Sequence, residues 1–267
     1  MNRQPAAADR FYPGSLSSLD KMITRLMPES SAQKDKALSI ICPHAGYIYS
    51  GKLACETISS TDIPESVLIL GPNHHGLGGR VAVSTSDWKM PQGVVPIDRP
   101  FAQALIAASG LITEDELSHQ HEHSLEVQVP FLQKFQNNLR IIPIAVSQLS
   151  YSECQSVADA LVTVIRQSDK PPLLLASTDM SHYESRAAAA RKDKLALDRI
   201  TNLDPHGLYQ TVVKNNISMC GFIPVTITLI VSKQLGATSA RLVGYTDSGE
   251  TSGDIDQVVG YAGFVIT

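Results

Sequence analysis

An α/β fold follows from three observations. Short apolar runs suited to buried strands alternate with longer amphipathic segments suited to helices. Three of those runs are followed by histidine, two of them after a glycine or proline break. The 267 residues, 43% hydrophobic and 18% charged, suffice for a sizeable core and show no repeat, low-complexity tract or linker. The chain therefore reads as a single domain, 1–267, with a central, mostly parallel mixed sheet flanked by helices.

The elements follow in order. Residues 1–9 read as a loose leader, and residues 10–14 as an aromatic staple packing the N-terminus onto the body. Residues 15–27 carry Leu16, Leu19, Met22, Ile23 and Leu26 at helical spacing, with Ser15 as the cap. Ile40, Ile41 and Cys42 form a strand suited to burial on both faces. Pro43 breaks it, His44 stands just beyond, and Tyr47 and Tyr49 lie between Gly46 and Gly51. A helix is expected over 52–59 and a second strong strand over 67–70, which ends in Gly71, Pro72, Asn73, His74 and His75. Residues 80–96 read as short strands around a turn at Pro91 and Gly93, and 99–109 as a helix stopped by Gly110. Later strands are expected over 139–146, 173–176, 240–245 and 258–266. Helices are expected over 151–167, 185–202 and 225–235, with His206 opening one more. A polar loop spans 246–256.

Composition excludes several functions. A net charge of -4, without a lysine- or arginine-rich run, gives no support for nucleic-acid binding. The polar N-terminus lacks a signal-peptide core, and no apolar run is long enough to span a bilayer, so a cytoplasmic protein is expected. Cys42, Cys55, Cys154 and Cys220 form neither a CxxC nor a disulfide-type spacing. No strand is followed by a phosphate loop or GxGxxG, so no nucleotide site is expected.

The chemistry sits at strand ends, where open α/β sheets bind their ligands. His44 follows the first strand and His74 and His75 the second. Adjacent side chains of an extended chain diverge, so His74 is the one expected in the site, with His75 nearby. The tract 119–126 holds His119, His121, His123 and Glu126. His119 and His121 read as surface residues, whereas His123 and Glu126 share a face if both are helical. The fourth strand leads into Asp179 and His182. Asp179 is placed to orient His182, to cap the helix that follows, or to do both. Cys220 precedes a helix start, which favours a thiolate, although an isolated cysteine is usually a small buried hydrophobe. Two neutral imidazoles and one anionic ligand, with open positions, describe a mononuclear non-haem metal site.

The runs PHAGYIYSG at 43–51, GPNHH at 71–75, EHSLEVQVPF at 122–131, STDMSH at 177–182, MCG at 219–221 and VVGYAGF at 258–264 resemble the Memo family, including AmmeMemoRadiSam system protein B. That resemblance covers nearly the whole chain and implies a fold like the class III extradiol catechol dioxygenases. It implies His44 and His74 as metal ligands, and His123 and His182 as active-site histidines; the latter two are expected to move protons, with Asp179 orienting His182. Where the dioxygenases place a glutamate ligand, it implies Cys220, a softer donor that favours Fe(II) first, then Cu or Zn. His75, Glu126 and Tyr47 are expected around the pocket. The expected function is a metal-dependent oxidoreductase acting on a small molecule or peptide. The resemblance also implies a functional link to a radical SAM enzyme and an AMMECR-type protein. The alternative is a non-catalytic scaffold that holds a peptide or ligand in the same pocket, as the signalling role of eukaryotic relatives suggests.

Overall fold

Four short apolar runs lie side by side at the centre of one sheet. In the computed structural model, which describes residues 2–29 and 34–267, they are β1 (Ser39–Cys42), β2 (Ser66–Pro72), β7 (Arg140–Val146) and β8 (Leu173–Ser177). They run parallel in the order β1, β8, β2, β7. Nearly every residue in them is buried, as expected for strands covered by helices on both faces.

Antiparallel pairings extend this centre. β3 (Val81–Val83) runs against β7 and carries the short β6 (Thr113–Glu114), while β4 (Trp88–Met90) and β5 (Gly93–Val95) form a separate hairpin. On the other side β11 (Val258–Ile266) runs against β1, and pairs with β10 (Ala240–Asp247) and β9 (His182–Glu184). The result is a mixed sheet with a parallel centre.

The helices are α1 (Leu16–Leu26), α2 (Tyr47–Ser59), α3 (Arg99–Ala108), α4 (Val129–Phe135), α5 (Tyr151–Gln167), α6 (Arg186–Thr201), α7 (Pro205–Lys214), α8 (Phe222–Gln234) and the one-turn α9 (Gly249–Ser252). Ser15 caps α1, and Ser150 with Glu153 forms a capping box on α5. α2 starts at Tyr47 rather than at residue 52, because Gly46 serves as its N-cap. Helix α8 is buried all round and joins two apolar clusters. Ile223, Ile227 and Ile230 belong to the larger core, and Val225 and Leu229 to a second one with Ile200, Leu208 and Phe264. No helix among the described residues is long and apolar enough to cross a membrane.

The N-terminal segment is not the loose leader that its composition suggested. Arg3 is buried, its guanidinium lies 4.1 Å above the Trp88 ring, and it forms a 2.6 Å ion pair with Glu126. Glu126 has no exposed surface and accepts further hydrogen bonds from Ala6 N–H, Ala7 N–H and the Tyr12 hydroxyl. One buried carboxylate thus gathers residues 3–12, a long-range partnership that local sequence does not reveal. The staple expected at residues 10–14 forms on this anchor, with Phe11 O accepting the Tyr47 N–H at 2.8 Å.

Candidate metal centre

The order β1, β8, β2 brings three histidine-bearing strand ends together. His44 follows β1, His74 follows β2, and Asp179 and His182 follow β8. A fourth segment closes over them. Gly71 lets it approach, since a Cβ there would come within 2.8 Å of Ser124 Oγ and 2.9 Å of Leu125. That packing delivers Glu122 and His123.

His44, His74 and His123 each offer a ring nitrogen, and the three atoms lie within 4.8 Å of one another. His44 is buried, His123 half-buried and His74 exposed, so the cluster opens to solvent on one side. His74 stacks on His123 at 4.7 Å between centroids, and Phe11 stacks on the far face of His123 at 4.2 Å. The anchored N-terminal segment therefore supplies a wall of the site.

Glu122, wholly buried, orients this group. It accepts the His74 backbone N–H at 2.7 Å, the His74 Nδ1–H at 2.9 Å and the Ser124 N–H at 2.9 Å, and lies 3.5 Å from His123 Nδ1. A carboxylate on Nδ1 fixes the tautomer and leaves Nε2 as a lone-pair donor, the arrangement common behind metal-binding histidines. Burial pushes the Glu122 carboxyl up, but the hydrogen bonds from His74 and the Ser124 N–H hold the group well below the usual carboxylate range. Burial lowers the imidazoles: His44 falls well below its ordinary value with help from His74, and His123 falls to about 3 with help from His44. Both are neutral at pH 7 and free to donate lone pairs. The chemistry of this donor set fits a metal such as zinc, copper or iron, which imidazole suits.

The remaining residues take places that differ in part from those expected. Cys220 stays outside the three-histidine group, with its sulfur 3.2 Å from His44 Nε2 and accepting the Asp179 N–H at 3.3 Å. Gly221 allows this approach, because a Cβ there would lie 2.5 Å from both Ser177 O and Thr178 Cβ. Burial and the Asp179 charge push the Cys220 thiol up, so it is protonated without a metal. His123, expected as a proton carrier, stands with His44 and His74 in the group that could hold a metal ion.

Asp179 neither orients His182 nor caps a helix. It is buried, accepts the His44 backbone N–H at 2.8 Å, and is pushed up by burial. The turn after β8 faces it towards the neighbouring β1, while His182 is carried onward to pair with β11. Ser218 holds His182 instead: its hydroxyl accepts the His182 N–H at 2.8 Å, and its carbonyl accepts the Nδ1–H at 2.9 Å. His182 is half-buried.

Tyr47 is core rather than pocket, with its hydroxyl donating to Val127 O at 2.7 Å and its ring stacked on Phe131 at 4.3 Å. Glu126 is likewise the anchor of the N-terminal segment and does not line the site. His75 turns away to His121, whose carbonyl lies 3.0 Å from His75 Nε2. His119, expected at the surface, is fully buried against Trp88 and donates through Nε2 to Ala82 O at 3.0 Å. Glu122 and Phe11 were missed as site residues. Glu122 had a signal, an acid set between two histidines of a polar tract; Phe11 had none.

Fold and site together define an α/β protein with a candidate metal centre at the carboxyl edge of its sheet. Residues 3–265 match the family described as Memo-like protein. A MEMO1 family protein of Methanosarcina barkeri is 37% identical over 265 residues, covering 99% of each chain. One from Aquifex aeolicus is 40% identical over 265 residues, covering 98% of each. A crystal structure of an uncharacterized protein from Escherichia coli K12 shares the fold at a TM-score of 0.57 and 12% identity, over 83% of this chain and 98% of its own. The chain belongs to the Memo family.

Proposed function

We propose that the chain is a cytoplasmic, mononuclear non-haem metal protein with oxidoreductase activity of the dioxygenase-like kind. The observation that carries this reading is the convergence of His44, His74 and His123 within 4.8 Å, opening to solvent. Their imidazoles would hold the ion, with the Cys220 sulfur beside His44 as an adjacent soft donor. Fe(II) is the favoured metal, with Cu and Zn as alternatives. When bound, the metal supplies Lewis acidity and, if redox-active, electron transfer.

The chain's own groups supply the rest. Glu122 and Phe11 hold His74 and His123 in place. His182 is outside the donor group, and its Nδ1–H is committed to Ser218 O, which leaves Nε2 to exchange a proton with a substrate. The substrate is a small molecule or peptide entering on the His74 side. A functional link to a radical SAM enzyme and an AMMECR-type protein is proposed on the family resemblance. The test is metal content, measured beside oxygen or peroxide consumption, for protein purified under reducing conditions without added metal. One metal per chain is expected, with His182→Ala keeping the metal and losing turnover. Equal turnover in His182→Ala and parent would favour the scaffold function instead.

A further inference from the structure

We infer that Ser177, locked by Gln128 and Ser124, is the positioning residue that puts the His44 proton on Nδ1 and leaves Nε2 as a bare lone pair facing the Cys220 sulfur. This deepens the metal reading above and rests on it for its purpose, though not for its geometry.

The assignment follows from counting donors. Gln128 is fully buried, and its Nε2 lies 2.8 Å from Pro43 O and 2.9 Å from Ser177 Oγ. Pro43 O can only accept, so the amide nitrogen must face it, and its second hydrogen then points at Ser177 Oγ. The Ser177 hydroxyl has one proton, and Ser124 O, another pure acceptor, lies 2.7 Å away and takes it. Ser177 Oγ is left with one lone pair. His44 Nδ1 stands 3.0 Å from it and must therefore be the donor. A neutral imidazole with a protonated Nδ1 has an unprotonated Nε2. The Cys220 sulfur lies 3.2 Å from that nitrogen and accepts the Asp179 N–H.

The lock places the lone pair towards the metal centre before any ion arrives. His74 gains the same tautomer from a carboxylate; His44 gains it from a hydroxyl with no freedom left. The buried Gln128 Oε1 has no protein partner among the described residues, consistent with an amide orientation set by its nitrogen alone.

The test uses metal-free protein labelled with 15N-histidine, reading two-bond 1H–15N couplings in the parent, Ser177→Ala and Gln128→Met. The parent should show His44 protonated at Nδ1. Ser177→Ala removes the hydroxyl that accepts from Nδ1, so the Nε2–H form should appear. Gln128→Met frees one lone pair of Ser177 Oγ but leaves Ser124 O to take its proton, and should keep the parent tautomer. Zn(II) affinity should fall about 10- to 100-fold in Ser177→Ala. A parent with His44 protonated at Nε2 overturns the inference, even if neither variant folds. So does an unchanged tautomer in folded Ser177→Ala. Because the spectrum is recorded without metal, a parent that binds no zinc yet shows the Nδ1–H form refutes the metal reading and supports this assignment.

Discussion

Changing Glu122 to glutamine keeps the side chain's shape and removes its charge. In the parent, one oxygen accepts from His74 Nδ1–H and Ser124 N–H, and the other from the His74 backbone N–H. Glutamine has one carbonyl oxygen. Placed over the pair of donors, it keeps two weakened bonds and turns its NH2 group against the His74 N–H. Hydrogen bonds to a charged group are worth about 1.5–3 kcal/mol and neutral ones about 0.5–1.5 kcal/mol. One bond lost and two weakened by about 1 kcal/mol each give a destabilisation of roughly 3–5 kcal/mol. No water can substitute, because Glu122 is wholly buried. The metal effect is separate: loss of an orienting carboxylate weakens binding about 10- to 100-fold. The assay is chelator competition for Zn(II), run beside thermal unfolding of the metal-free proteins. The depressed Glu122 pKa adds a pH signature. Its stabilisation is full above the ordinary value of 4.5 and is lost as the pH falls below that towards the folded value, so the acid limb of the parent should flatten in Glu122→Gln. A folded Glu122→Gln variant with parental zinc affinity would refute the role given to this carboxylate.

Glu126→Gln should destabilise by about 3–5 kcal/mol, because it leaves the buried Arg3 guanidinium without its counter-charge; calorimetry checks this, and limited proteolysis should cut first within residues 2–12. His119 has a folded pKa near 4 against an ordinary 6.5, because burial disfavours its charged form. Its contribution of about 3 kcal/mol is therefore full above pH 6.5 and lost as the pH falls to 4. His119→Gln should show a shallower loss of stability over that window, and parallel pH curves would refute this. Gly221→Ala should cost about 1–3 kcal/mol and lower the midpoint by roughly 2–12 °C, because the new methyl meets the Ser177 carbonyl and Thr178.

Elements that depend on local pattern were legible in the chain. The buried strands at β1, β2, β7 and β8, the α5 boundaries and the histidines after three strand ends all follow from apolar runs, caps and breakers. Residues whose place depends on distant partners were not. Arg3 and Glu126 are 123 positions apart and Ser177 and His44 are 133 apart, and nothing near either partner announces the pairing. His119 looked solvent-exposed because it stands in a polar tract, yet Trp88 and Arg3 cover that tract from another part of the chain. Asp179 was assigned to the histidine three residues away in sequence, whereas the parallel pairing of β1 with β8 brings His44 closer. The neighbour across the sheet outranks the neighbour along the chain.

The most direct test of the metal centre is elemental analysis, at matched zinc activity, of the parent and the single variants His44→Ala, His74→Ala, His123→Ala and His75→Ala. The three-histidine centre predicts one ion per chain in the parent and in His75→Ala, and loss of tight binding in the other three, each of which removes a donor from the group spanning 4.8 Å. Full metal content in His44→Ala, His74→Ala or His123→Ala, or release of the ion by His75→Ala alone, would contradict it.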